Sequence, residues 1–101
     1  MSRASFPRPE HSALLREKIH TALQARGLPL ELTDRGIDQY RCCYRFGFRR
    51  FAAQEWTDLA IHFQVAERLE SSSDDAELEH ILILFLERYF AAEPVKHRHR
   101  L

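Results

Sequence analysis

The feature that most constrains this chain is the run Ile81-Leu82-Ile83-Leu84-Phe85-Leu86, set inside the longer stretch Ser73 to Pro94. The stretch predicts a helix. Ser73 is a candidate N-cap, because its hydroxyl can accept from a free first-turn N–H. Asp74, Asp75 and Glu77 place negative charge at the positive end of the helix dipole. Pro94 cannot continue a helix and disfavours helical geometry at Glu93. At about 100° per residue, Leu78, Ile81, Leu82, Phe85 and Tyr89 form one stripe, with Ile83, Leu86 and Phe90 beside it. Only Glu77, His80, Glu87 and Arg88 make a polar strip, and Leu84 interrupts it. A helix this apolar is covered on more than one side.

The rest of the chain divides around it. Residues 1–9 hold two prolines without periodicity and read as a flexible arm. A first helix is expected over 11–26, with Leu15, Ile19, Ala22 and Leu23 as its core stripe and Arg26-Gly27 as its stop. Residues 52–70 predict another helix, with stripes Trp56, Leu59, Phe63, Ala66 and Ile61, Val65, Leu69. The polar link Ser71 to Asp75 then joins it to a last helix over 74–92, as a C-terminal helical hairpin. Residues 10–93 form one domain, and 94–101 a basic flexible tail.

Residues 35–51 satisfy two periodicities at once. As a helix, Ile37, Tyr40, Tyr44, Phe48 and Phe51 share a face, and Arg41, Arg45 and Arg49 line up beside them. As a strand, Tyr40, Cys42, Tyr44, Phe46 and Phe48 alternate with Arg41, Cys43, Arg45, Gly47 and Arg49. Leu28–Thr33 is the only visible partner strand, and an isolated two-stranded hairpin is marginal. We therefore read a helix over 35–48, with a bend near Gly47 and a strand over 39–48 as the alternative. The expected fold is mainly α, with about four helices.

Charge is balanced overall but not locally. Residues 35–50 carry five arginines against Asp38, while residues 54–93 carry ten acids against Arg68 and Arg88. Such halves attract within a chain or between copies. No apolar run approaches the roughly 18 residues of a membrane span. The N-terminus lacks an apolar signal core, and the adjacent Cys42 and Cys43 read as reduced thiols. Both point to the cytoplasm.

Little suggests chemistry. No C-x-x-C or H-x-x-x-H spacing supports a metal, and three glycines offer no phosphate-cradling loop. Cys42 or Cys43 as a nucleophile would need a nearby base, and no histidine is close in sequence. We expect no enzyme and no cofactor. The stretch from Tyr40 to Phe51 is the best argument for nucleic acid, through Arg41, Arg45, Arg49 and Arg50. A simpler reading makes its aromatics core and pairs its arginines with the acidic helices.

What remains is surplus apolar surface. Ile83, Leu84, Leu86 and Phe90, with Ile61, Val65 and Leu69, exceed what one side of a hairpin must bury and form the expected partner-binding face. A second copy or another protein would cover it, a twofold homodimer being the commonest solution. In size, absence of site chemistry and apolar helices, the chain resembles small bacterial antiactivators that bind a LuxR-type quorum-sensing receptor. That resemblance implies a non-enzymatic regulator that blocks an interface of a transcription factor. It carries no functional residue across. The alternative is a nucleic-acid-binding regulator using residues 40–51.

Overall fold

The computed structural model describes residues 6–90. Helix α1 spans Pro9–Ala25, strands β1 Leu30–Asp38, β2 Cys43–Arg50 and β3 Thr57–His62, and helices α2 Phe63–Ser72 and α3 Ala76–Tyr89. The strands form one antiparallel sheet in the order β1-β2-β3. The helices cover one face of it. This is a two-layer arrangement of helix and sheet, and the expected mainly α fold of four helices is wrong.

The error has a physical source. A strand over residues 43–50 needs partners, and the sequence showed only one. The second is Thr57–His62, which the helical pattern of 52–70 had absorbed. β2 therefore lies in the middle, with Phe46 opposite Asp34 on one side and Leu59 on the other. Paired on both edges, it satisfies its backbone without a helix. The supposed helical face splits apart: Tyr44 and Phe48 are fully buried, while Tyr40 is 94% and Phe51 74% exposed. Tyr44, Phe46 and Phe48 point at the helices and form the centre of the core. Each such side chain contributes about 1.5–3 kcal/mol by leaving water.

Around this centre pack Leu15, Ile19 and Leu23 of α1, Ala66 and Leu69 of α2, and Leu82 and Phe85 of α3. Phe48 meets Phe85 with ring centroids 4.9 Å apart. The ends of α1 follow local chemistry. Pro9 opens it, where a missing N–H costs nothing. Leu28 N–H donates to Leu23 C=O and Gly27 N–H to Gln24 C=O, with Gly27 at φ +66°. That is a Schellman stop, and glycine takes the left-handed position without a Cβ penalty.

α2 leaves β3 without a linker, its first turn capped by His62 Nδ1, which accepts from Gln64 N–H at 3.1 Å. Ser73, expected to start α3, instead closes α2 at φ +59°. Asp74 Oδ1 accepts from Ala76 N–H and begins α3. Arg68 of α2 joins α3 through its Nε and Nη2, which donate to Glu77 at 3.0 and 2.7 Å. Among the described residues no helix is long and apolar enough to cross a membrane. Residues 1–5 of the expected arm and the expected tail over 94–101 lie outside the described residues.

Two hydrogen bonds set the direction of every strand group. Phe51 N–H donates to Pro29 C=O, and Phe63 N–H to Cys42 C=O. Alternation along antiparallel strands then turns the odd residues of β2 toward β1 and the even ones toward β3. In β1, Glu31 and Thr33 bond to β2, while Leu32 and Asp34 turn their backbone groups outward. A bulge between Asp34 and Gly36 ends this regular stretch.

Candidate interaction surface

The expected partner-binding residues separate once the sheet is in place. Ile61 lies on β3 and is 1% exposed. Val65, Leu69 and Leu86 are also buried in the core, so these four hold the fold and present nothing to a partner. Ile83 and Phe90 are half-buried. Leu84 is 53% exposed on the outer side of α3.

A second exposed apolar region, which the sequence reading only half identified, lies at the C-terminal end of α3. Tyr89, about 140° around the helix from Leu84, is 49% exposed. Its ring lies 5.2 Å from Phe85, centroid to centroid, and Phe90 lies 5.9 Å from Phe85 on the other side. Arg50 ties this end of α3 to the sheet. Its Nη2 donates to the Phe90 carbonyl at 2.9 Å, and its guanidinium lies 5.1 Å from the Phe90 ring. Phe51 follows directly and projects from a turn in which Ala52 sits at φ +71°. The helical stripe shared with Phe48 predicts a core position for Phe51. Its position after the end of the Tyr44-Phe46-Phe48 alternation was the available signal.

The arginines of residues 40–51 are mostly engaged within the chain. Arg45 donates to Asp58, which also accepts from Arg35 Nε at 3.2 Å. Arg49 pairs with Glu31 at 2.9 Å and stacks over Trp56, 4.4 Å from its centroid. Arg35 lies 5.7 Å from the same ring. Arg35, Arg45, Arg49 and Trp56 cover the face of the sheet opposite the helices, where Gly47 leaves room for them. Arg41 stands exposed on the β1–β2 turn. The acids Glu31 and Asp58 largely neutralise this face.

Cys43 lies between Asp38 and His62 in the cross-strand register. This neighbour was invisible along the chain. The arrangement opposes nucleophilic activation: burial, and then the Asp38 charge, push the Cys43 thiol above its ordinary value. Among the described residues no cluster of His, Cys, Asp and Glu is suited to a metal ion.

Compared with protein families, with curated proteins and with solved structures, the chain matches none.

Proposed function

We propose that this protein is a small non-enzymatic regulator that binds another protein and blocks one of its interfaces. The docking surface is the C-terminal end of α3 with the adjoining turn, centred on Tyr89 and Phe51. The observation that carries this reading is the exposure of these large apolar side chains beside a core that is already complete. Such a patch costs solubility and is characteristic of a contact surface. Arg88, whose guanidinium lies 5.6 Å from the Tyr89 ring, and Arg50 supply the aromatic–arginine chemistry in which interface energy concentrates. The partner we favour is a cytoplasmic transcription regulator, inhibited by steric blockage in the manner of the antiactivators.

The experiment is affinity capture from native lysate, with and without nuclease, using the wild-type chain and the Tyr89→Asp and Phe51→Asp variants. One stoichiometric protein, retained after nuclease and lost with both variants, is the expected result. Equal capture by the variants would exclude this surface. Recovery of nucleic acid, with proteins lost after nuclease, would overturn the reading altogether.

A further inference from the structure

The end of the molecule that holds Tyr89 and Phe51 also carries a local charge. Arg88 is exposed, and among the described residues it has no ion-pair partner. Arg50 links Phe90 to the strand that ends beside Phe51. Arg26, the exposed cap of α1, stands at the same end. It lies three residues before Pro29, whose carbonyl accepts from Phe51 N–H at 3.3 Å.

We infer that the partner of this surface is a protein whose apolar pocket is rimmed by acidic side chains. Tyr89 and Phe51 enter the pocket, and the surrounding cations meet the rim. The inference rests on the reading of this end of α3 as a docking surface and adds the chemistry of its partner.

Charge is separated along α3. Asp74, Asp75, Glu77 and Glu79 stand at its start and Arg88 at its end. The helix is about 20 Å long. That is more than twice the screening length of about 8 Å at physiological salt, so the acids at one end do not neutralise the other. Asp75 and Glu77 are in any case held by Lys18 and Arg68.

The local balance is positive in a chain that is neutral overall. Arg26, Arg50 and Arg88 stand against Glu55 and Glu87, and the sequence after Phe90 adds Lys96, Arg98 and Arg100 against Glu93. The excess is three positive charges. Lys96 follows Phe90 by six residues and Arg100 by ten, which span at most about 20 and 35 Å. A standard interface of about 800 Å² per partner is a disc of about 16 Å radius. These cations are therefore within reach of the rim of a contact centred on Tyr89. Nucleic acid would meet the same charges, but Arg88 already lies over the Tyr89 ring, where a stacking base would sit. Protein is the better fit.

The probe is the protein retained from lysate after nuclease, and its association and dissociation rates with the full chain are read at 50 and 500 mM NaCl. Association should slow about tenfold at the higher salt, with dissociation changed by less than about threefold. Lys96→Glu, Arg98→Glu and Arg100→Glu together turn the local excess negative. Association should then be about tenfold slower at low salt, and added salt should speed it. Arg26→Glu, at an exposed cap, should slow association about threefold and decides alone if the triple variant fails to fold. Tyr89→Asp should act mainly on dissociation. Association that ignores salt, or rates unmoved by the reversals, would overturn the inference and leave the docking surface standing. No protein retained after nuclease, or retention that survives Tyr89→Asp and Phe51→Asp, would overturn both.

Discussion

His11 Nε2 lies 2.9 Å from Glu70 Oε1, joining the first turn of α1 to the end of α2 across 59 residues of sequence. The histidine is 1% exposed. Its Nε2–H donates to the carboxylate, which also accepts from Arg8 Nη1 at 3.3 Å. Arg8 N–H in turn donates to the Tyr44 hydroxyl at 3.1 Å. The start of α1 is thus held to β2 and α2 by polar contacts around one buried ring.

These contacts predict the acid response. The His11 hydrogen bond, reinforced by the charge of Arg8, holds Glu70 below its ordinary value of 4.5. Arg68 does the same for Glu77 through its hydrogen bonds. A carboxylate whose pKa falls on folding contributes stability that is complete above its unfolded pKa. That contribution is lost as pH falls through the folded value. The urea midpoint should be steady from pH 7 to about 5 and fall below 4.5. Glu70→Gln should flatten that fall. An unchanged slope in Glu70→Gln would show that the link to His11 contributes nothing.

Phe48 and Phe51 should separate by stability. They share a face in a helix, but the sheet buries Phe48 completely and leaves Phe51 74% exposed. Phe48→Ala should cost about 3–5 kcal/mol, and Phe51→Ala about 0.5 kcal/mol or less. Urea denaturation of the two variants measures both. Similar losses would contradict the strand assignment.

Gly47 sits where the polar face of the sheet is most crowded. A Cβ there would lie 3.1 Å from Arg35 Nε, 3.1 Å from Thr33 Cγ2 and 3.3 Å from Asp58 Oδ1. Gly47→Val should push Arg35 off Asp58 and destabilise by about 1–3 kcal/mol, despite the better strand propensity of valine. Thermal melts of Gly47→Val beside Arg35→Ala give the comparison. A stabilised valine variant would show that the ion pairs yield without cost.

Trp56, the only tryptophan, reports on the arginines over it. Arg49→Gln removes the nearer cation and its pair with Glu31. The loss should be about 1 kcal/mol. Acrylamide should then quench the indole more readily. Quenching that matches the wild type would mean that Arg49 does not cover the ring in solution.

Sequence alone determined the elements that carry their own hydrogen bonds. The 3.6-residue stripe of Leu15, Ile19 and Leu23, with the stop at Arg26-Gly27, is sufficient to mark α1, because a helix satisfies its backbone locally; only its start at Pro9, read as part of the arm, was missed. The same holds for α3, whose apolar run ends within a turn of the expected limit. It also sufficed to set Leu84 apart from the core stripe, and the structure leaves it 53% exposed. Only the tertiary structure decided residues 43–50. Their aromatics and arginines satisfy both periods, and a strand is stable only when neighbours accept its backbone groups. One neighbour, Thr57–His62, lay inside a convincing helical pattern, with Leu59 and Ile61 fitting both. The choice rested on long-range pairing. That pairing buried Ile61, Val65 and Leu69, engaged Arg45 and Arg49, and left the edge of β1 open.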